Sequence, residues 1–340
     1  MADIYSEYIT PAELTGYARA ALADRPENQF RLVDRLPHRQ VDDLVYRWTV
    51  NNGGLAAAAS FRAYDAEPKF GKREGIARKT GELPAIAQQY ILGEYDSLRL
   101  RSAGEEIRNL LLRDAARIAR AIDTRFEFAR GQALVEGKVT LAEDGVMAEV
   151  DFGRTAAHSV APATLWTDLT NAKPLSDLQS WRDTYVDTNG QTPGVLQTST
   201  RVVSLMLRNA EIRSHLLPVG STVSQVKLAD LNALLIDFDL PQVEKYDVRA
   251  IDVNGASRRI IDDDKLLFLP PNGVELGATL WGTTLESQEP EYGIADGEHP
   301  GVVVAAFKQK QTPIRVYTMG SAIGIPLLAD PNLSFVADVA

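Results

Sequence analysis

The stretch from Ser102 to about Leu134 constrains the fold more than any other part of the chain. Its apolar residues recur at steps of three and four, which places them on one face of an α-helix. A helix of about 30 residues spans roughly 45 Å, more than twice the usual length. The apolar face consists of Ala103, Ile107, Leu110, Leu111, Ala115, Ile118, Ile122, Phe126, Ala129 and Ala133.

The sequence indicates where this helix begins and where it ends. Ser102 and Glu105 have the spacing of a capping box, in which hydroxyl and carboxylate bind free amides of the first turn. Gly137 is the predicted stop, because glycine adopts the left-handed conformation that ends many helices. The pattern by itself is that of an amphipathic core helix with a solvated basic face. That face is expected to carry Arg108, Arg113, Arg117, Arg120 and Arg130.

The composition excludes several classes of function. The 340 residues carry a formal net charge of −10, which disfavours a primary role in gripping nucleic acid. The absence of cysteine excludes disulfides, thiolate catalysis and cysteine-based zinc sites. The N-terminus lacks the basic and apolar regions of a secretory signal, and no apolar run approaches membrane-spanning length. A soluble intracellular product is expected.

The first fifty residues predict a helix, an arm and a strand. Thr10-Pro11-Ala12-Glu13 combines an N-cap, a first-turn proline and a glutamate, and opens a helix that reaches about Ala23. The polar, proline-punctuated stretch to Gln40 is expected to be an extended arm. Alternating apolar residues from Leu44 to Val50 predict a strand.

A long glycine-rich and locally basic loop follows this strand. A loop of such length is uncommon in a compact domain unless it is functional or disordered. Two interpretations remain open, a mobile surface loop and a long hairpin that reaches onto a neighbouring subunit. The side chains expected to make the contact in the second case are Lys69, Phe70, Lys72, Arg73, Arg78 and Lys79.

The remaining chain predicts a mixture of helices and strands. Hairpins are expected around Gly145 and around Asn254-Gly255, and the irregular stretch 155–174 is a predicted domain boundary. The segment 175–307 is therefore expected to be an α+β unit. Predicted helices cover 175–185, 202–217 and 223–238, and predicted strands cover 195–198, 265–269, 314–319, 323–328 and 334–339.

No pattern in the sequence predicts catalysis. The four histidines are scattered, without metal-ligand spacing. Residues 131–138 resemble a phosphate-binding loop but have five intervening residues instead of four and follow a helix instead of a strand. Asp262-Asp263-Asp264 is expected to be a solvated turn rather than a cation site. We therefore expect no enzyme activity, no cofactor and no metal.

Three short stretches, taken together, resemble a known family. They are Gly137-Lys138-Val139-Thr140, Val150-Asp151-Phe152-Gly153-Arg154, and Pro326-Leu327-Leu328-Ala329-Asp330-Pro331. Their order and spacing are similar to those of the major capsid proteins typified by phage lambda protein E. The resemblance covers nearly the whole chain, although only the order of elements supports it between Leu175 and Val304.

The resemblance implies an α+β fold of the Hong Kong 97 type. The long helix would be the spine of a peripheral domain, and the basic loop would be the extended loop. The implied division is an N-terminal arm (1–40), an extended loop (41–95), a peripheral domain with the spine helix (96–172), an axial domain (173–307) and a return to the peripheral domain (308–340).

The resemblance also implies a function and partners. The chain would self-assemble as hexamers and pentamers into the icosahedral head shell that encloses the double-stranded DNA of a tailed phage. An acidic balance suits a shell that holds DNA without gripping it. No long heptad region precedes the arm, so a separate scaffolding protein is expected, together with a portal and, often in this family, a decoration protein. Its location would be the virion capsid, assembled in the host cytoplasm, with no membrane contact.

Two alternatives are kept. The same fold serves cellular nanocompartment shells of the encapsulin type, which enclose enzyme cargo instead of a genome. The other alternative is an α+β enzyme with an unrecognised site, which would need convergent polar groups in a pocket.

Overall fold

The computed structural model describes residues 2–23, 30–50, 77–100, 103–143, 146–218, 221–294 and 301–340. None of its helices within these ranges combines the length and apolarity that a bilayer crossing requires. The described helices are α1 (Pro11–Ala23), α2 (Leu32–Arg35), α3 (Glu94–Arg99), α4 (Gly104–Glu136), α5 (Pro174–Asn189), α6 (Thr200–Arg208), α7 (Ala210–Leu216), α8 (Leu228–Asp237) and α9 (Leu285–Gln288).

Seventeen strands lie in the described ranges and form two larger sheets and three hairpins. They are β1 (Ala2–Ile4), β2 (His38–Val41), β3 (Val45–Val50), β4 (Ala77–Glu82), β5 (Ala85–Leu92), β6 (Lys138–Glu143), β7 (Val146–Asp151), β8 (Ser159–Val160), β9 (Val195–Thr198), β10 (Val243–Lys245), β11 (Arg249–Ile251), β12 (Ser257–Arg259), β13 (Lys265–Leu269), β14 (Gly277–Gly282), β15 (Val303–Gln309), β16 (Arg315–Leu328) and β17 (Phe335–Asp338).

The long helix α4 has 33 residues and closes as predicted. Gly137 takes the left-handed conformation at φ 69°, and its amide donates to the Ala133 carbonyl. The start differs from the predicted capping box. Ala103 occupies the N-cap position and has no side chain that could accept a hydrogen bond, and Ser102 lies outside the described residues. Two glutamates in the first turn, Glu105 and Glu106, instead place negative charge at the positive end of the helix dipole.

The first sheet packs on α4 and is built around β16. Its order is β1-β15-β16-β14-β2, and β5 pairs with residues 316–323 of β16 on the side opposite β15, in line with β14. The sequence predicted two strands where the structure has one of 14 residues. Gly320 and Gly324 explain the difference, because their lack of side chains makes room for Ile118 and for the Phe126 ring. A Cβ added at position 324 would lie 3.1 Å from this ring. The glycines therefore serve close packing against the helix and do not end the strand.

The second sheet has the order β10-β9-β13-β17-β8 and is surrounded by α5 to α8. The predicted strands 195–198 and 265–269 have these bounds in the structure. The predicted helix 202–217 is broken at Asn209, whose Oδ1 caps the second half by accepting from the Glu211 amide at 2.8 Å. The helix predicted from residue 223 starts only at Leu228, because the Val226 amide donates to the Leu207 carbonyl.

The helix α4 is shared between two apolar cores. Ile107 to Phe126 pack with Trp281 and Val304 under the first sheet. Ala129, Ala133 and Leu134 belong to a larger core that includes the second sheet and its helices. One element thus joins both halves of the fold.

The strand pairing crosses the boundaries expected for the domains. The strand β14 falls within 173–307 and β15 begins there, yet both pair with β16 in the first sheet. The final strand β17 falls within 308–340, yet it pairs with β13 in the second sheet. The five-segment division itself stays a prediction.

Candidate functional site

Of the six residues predicted to contact a neighbouring subunit, the structure describes the backbone of two, in the hairpin β3–β4. Lys69, Phe70, Lys72 and Arg73 lie outside the described residues. Arg78 and Lys79 lie in β4, where their backbones pair with Thr49 and Trp48 of β3. The structure thus places two of the six residues on a paired strand, and the contact itself stays a prediction.

The base of this hairpin is anchored in the protein. Tyr46 is buried, and its ring lies where a side chain at Gly81 would be. The Leu83 amide donates to the Leu44 carbonyl at 3.0 Å, where the hairpin joins the sheet. Burial also raises the pKa of the Tyr46 hydroxyl. The base of the hairpin β3–β4 is therefore fixed to the protein.

A buried charge cluster lies on α4 and corrects one sequence prediction. Arg130 was expected on the solvated face, but its side chain is completely buried. Its Nη1 lies 2.9 Å from Oε2 of Glu127 and 3.5 Å from Oδ1 of Asp123. The prediction failed because α2 and the segment around Tyr246 cover a second face of the C-terminal half of α4.

Glu127 connects α4 to two distant parts of the chain. Its Oε1 accepts from the Leu32 amide of α2 at 3.1 Å and from the Tyr246 hydroxyl at 2.8 Å. Burial is the main cause that raises the pKa of Tyr246, and the neighbouring Glu127 charge acts in the same direction. Tyr246 therefore stays a neutral donor. The Glu127 carboxylate has three partners, which are the Leu32 amide, the Tyr246 hydroxyl and the Arg130 guanidinium.

Arg130 continues the network into the first sheet. Its Nε donates to Oγ1 of Thr279 at 2.9 Å, and that hydroxyl donates to the Leu36 carbonyl at 2.8 Å. The available signal for such a cluster is the spacing of Arg130 from two acidic residues, with Glu127 three and Asp123 seven residues before it on the same helix. Loss of one member of such a buried ionic network leaves an uncompensated buried charge, which is strongly destabilising.

Two of the three stretches that carried the family resemblance, 137–140 and 150–154, meet at the C-terminal end of α4, beside residues that follow the third stretch. The Arg154 guanidinium donates to the carbonyls of Leu134 and Val135 at 2.8 and 2.5 Å and thereby caps the helix. The same guanidinium reaches the hydroxyl of Ser334 at 3.4 Å. The Thr155 amide donates to Oδ1 of Asn332 at 3.0 Å. Burial lowers the pKa of Arg154 to about 10, so the side chain is still a cation at neutral pH.

The chemistry of both clusters is structural. Their charged groups are directed at one another or at backbone carbonyls, so they hold elements together. Within the described ranges, no group of three or more histidine, aspartate or glutamate side chains could hold a metal ion. Of the histidines, His38 accepts from Nε1 of Trp281, His158 is buried, and His299 lies outside the described residues.

Solved structures share the fold of this chain. A protein assigned as the capsid protein of a prophage in Escherichia coli CFT073 matches with a TM-score of 0.67 at 13% identity, over 100% of both chains. A phage-related protein of Bordetella bronchiseptica RB50 matches with a TM-score of 0.58 at 14% identity, over 100% of this chain and 98% of its own. The fold is that of phage capsid proteins, as the sequence predicted.

The family model described as phage major capsid protein E matches residues 21–339. The chain belongs to the phage major capsid protein E family. It is a capsid protein that self-assembles into a shell, and its place is the virion capsid. No curated protein sequence matches the chain.

Proposed function

We propose that the protein is the major capsid protein of a tailed phage and encloses its double-stranded DNA genome. The observation that supports this most strongly is the family match across residues 21–339, nearly the entire chain. Subunits would assemble as hexamers and pentamers, held by heterologous contacts in which each patch meets a different patch. The net charge of −10 suits a container for DNA, because its walls carry no excess of cations that would bind phosphates.

The proposal includes separate partners and no enzyme activity. A separate scaffolding protein would guide assembly in the host cytoplasm, a portal would occupy one vertex, and some shells of this kind carry a decoration protein. The described charge clusters support a structural role, since Glu127, Arg130 and Arg154 bind other parts of the same chain.

The extended loop is proposed as a contact between subunits. Lys69, Phe70, Lys72 and Arg73 stand between strands β3 and β4, whose base is anchored by Tyr46. Together with Arg78 and Lys79 they would meet acidic surface of an adjacent subunit, which a chain with this net charge readily supplies. Rim charges of this kind add little affinity individually but fix register and increase the rate of encounter.

Assembly of the purified protein tests the proposal. The chain is expressed alone and together with a candidate scaffolding protein, then analysed by light scattering and negative-stain electron microscopy. Capsomers or closed icosahedral particles are expected, with double-stranded DNA inside particles recovered from phage-producing cells. Particles that contain a protein cargo instead of a genome would favour the nanocompartment. A single monodisperse dimer under all conditions would contradict a shell and favour the enzyme.

A further inference from the structure

The sequence contains four Asn-Gly pairs, a combination that can change chemically without an enzyme. The backbone amide nitrogen of the glycine can attack the side-chain amide of the asparagine, because a glycine has no side chain that would obstruct the approach. Three of the pairs lie in the described ranges, and their asparagines are Asn189, Asn254 and Asn272. These settings differ in what holds the attacking nitrogen, the leaving nitrogen and the carbonyl oxygen.

Hydrogen bonds occupy reacting groups of the first two pairs. The Gly190 amide donates to the Val186 carbonyl at 2.7 Å, and Nδ2 of the buried Asn189 donates to two backbone carbonyls, each at 3.0 Å. The Gly255 amide donates to the Asp252 carbonyl at 3.0 Å, in the turn of the hairpin β11–β12. An attack by either glycine nitrogen would first have to break such a bond, so both pairs are expected to react slowly.

The pair Asn272-Gly273 differs, because both of its reacting nitrogens can move. It lies in the turn between β13 and β14, and both residues are exposed. Within the described part of the chain, no group accepts a hydrogen bond from the Gly273 amide or from Nδ2 of Asn272. A Cβ added at Gly273 would meet no described atom within 4 Å. The glycine peptide can therefore rotate toward the asparagine side chain, and water reaches both residues.

The side-chain carbonyl oxygen of Asn272, in contrast, is held by a cation. Nη1 of Arg35 donates to Oδ1 of Asn272 at 2.8 Å, while Nη2 lies 3.1 Å from Oε2 of Glu244. The Arg35 side chain is only 11% exposed, and Nη1 also donates to the Pro270 carbonyl at 3.3 Å, so its position is fixed. A fixed cation at this oxygen stabilises the negative charge that develops there when a nucleophile adds to the amide carbon.

We propose that Asn272 is a deamidation site of this protein and that Arg35 promotes the reaction. The Gly273 nitrogen gives its proton to water and forms a bond with Cγ of Asn272, and the negative charge collects on Oδ1 beside Arg35. The bond between Cγ and Nδ2 then breaks, and Nδ2 takes up a proton from water and leaves as ammonia. A succinimide ring remains, which joins the asparagine side chain to the Gly273 nitrogen.

Water completes the reaction and leaves a new negative charge beside Arg35. It opens the ring at either carbonyl carbon and yields aspartate or isoaspartate, so that water is consumed, ammonia is released, and no oxidant or reductant is needed. Arg35 ends α2, and the turn at Asn272 joins β13 of the second sheet to β14 of the first. Deamidation therefore changes the charge where the N-terminal part of the chain contacts the connection between the two sheets. The reaction takes place within one subunit, so the inference does not depend on shell assembly.

Mass spectrometry of the aged wild-type protein tests the site. The purified protein is incubated at mildly alkaline pH, folded or in urea, and then digested with trypsin, which places the three described pairs in separate peptides. In the folded protein Asn272 should deamidate at least about tenfold faster than Asn189 and Asn254. In urea the contacts are lost, so the rates at these asparagines should be similar. Equal rates in the folded protein, or no conversion of Asn272, would overturn the proposal.

Variants at the guanidinium test the role of Arg35. Arg35→Met removes the cation and should slow deamidation of Asn272 about tenfold, whereas Arg35→Lys keeps a positive charge and should recover part of the rate. Glu244→Gln is the matched control, because it removes the carboxylate partner of Arg35 but keeps the cation, and it should retain fast deamidation.

The rate at Asn254 in each variant serves as the reference for general loosening of the fold, and the ratio of the two rates is compared. A ratio in Arg35→Met equal to or above that of the wild type would overturn the role of Arg35. The comparison within the wild type needs no variant, so it decides the site even where Arg35→Met fails to fold.

Discussion

The Tyr246 hydroxyl donates a 2.8 Å hydrogen bond to Oε1 of Glu127, across 119 residues of sequence. Both side chains are buried, and the same oxygen accepts from the Leu32 amide. One carboxylate therefore joins the N-terminal part of the chain, the long helix and the segment that leads into β11. Loss of this bond should be measurable as a loss of fold stability.

Tyr246→Phe tests the contribution of that bond. The substitution keeps the ring but removes a donor from a buried carboxylate, which should lower the free energy of unfolding by about 1–3 kcal/mol. Urea unfolding followed by circular dichroism measures the change. Tyr17→Phe is the matched control, because Tyr17 is 45% exposed, and it should change stability by less than about 0.5 kcal/mol. Equal effects of the two variants would contradict the network.

Arg130→Met should be more damaging than removal of the tyrosine hydroxyl. It leaves Asp123 and Glu127 buried without their cation, which costs about 3–5 kcal/mol in comparable buried pairs. The triple variant Asp123→Asn, Glu127→Gln, Arg130→Met removes all three charges and should recover part of the loss. Thermal melting of both variants gives the comparison. A triple variant less stable than the single one would show that the charges are not coupled.

The assignment of the helix faces can be tested with neighbouring residues. Ile118 is completely buried under the first sheet, whereas the Arg117 side chain is 63% exposed. Ile118→Asp places an unpaired carboxylate in the core and should cost about 3 kcal/mol or more. Arg117→Ala should cost under about 1 kcal/mol. Similar shifts in melting temperature would mean that the buried face is assigned wrongly.

His158 should make stability depend on pH. Burial lowers its pKa below the usual 6.5, and the Arg154 charge acts in the same direction. Below pH 6.5 and above the folded pKa, the unfolded chain binds more protons than the folded one. Stability therefore rises with pH through this window and is lost as the pH falls, by up to about 1.4 kcal/mol per pH unit.

Urea unfolding between pH 5 and pH 8 measures this dependence. His158→Gln removes the titrating ring, so its stability should fall less steeply below pH 6.5 than that of the wild type. The slope, and not the absolute stability, is compared, because the substitution also alters packing beside Tyr185 and Phe335. Parallel curves for the two proteins would exclude His158 as the source.

The extended loop can be shortened without disturbing the paired strands. Because Ala77–Glu82 pairs with β3, the replacement by a short Gly-Ser turn is confined to residues 67–76. Shortening a loop changes closure entropy only slightly, so near-normal circular dichroism and melting are expected. Closed particles should nevertheless be absent by electron microscopy. Normal-sized shells from the shortened protein would falsify the contact.

The charge of the loop can be tested separately. Assembly of the wild type should weaken with salt, because exposed charges are screened within about 8 Å at physiological ionic strength. The triple variant Lys69→Gln, Lys72→Gln, Arg73→Gln should assemble less well, with a smaller dependence on salt. A variant with three exposed cations changed elsewhere, Arg208→Gln, Lys227→Gln and Lys245→Gln, controls for net charge.

The elements predicted best from the sequence are those defined by local spacing and turn chemistry. The helical period of α4 and its end at Gly137 are visible in the sequence. The start of α1 at Thr10 is visible as well. There the Glu13 amide donates to the Thr10 hydroxyl, and the Glu13 carboxylate accepts from the Thr10 amide. The burial of Arg130 was missed because it depends on distant segments that cover a second helix face. The continuity of β16 is not predicted, because a glycine such as Gly320 usually indicates the end of a strand. The structure gives it another reason, the close packing of Ile118 against this position.

The partners of Glu127 could not be predicted for the same reason. Leu32 and Tyr246 are 95 and 119 residues away from it, and neither lies in a recognisable motif. Arg154 belongs to a stretch that resembles the family, but its role as a cap for α4 depends on the three-dimensional position of the helix end. Long-range polar contacts of this kind follow from the topology of the whole chain.

The sharing of α4 between two cores has a mechanical consequence. A helix of 33 residues is about 50 Å long, and its backbone hydrogen bonds make it stiff along its axis. Because each end of α4 is embedded in a different core, we expect a force on either sheet to be transmitted along the helix to the other half of the fold. We expect such a subunit to respond to internal load by tilting as a rigid body against its neighbours, with little bending between its two halves.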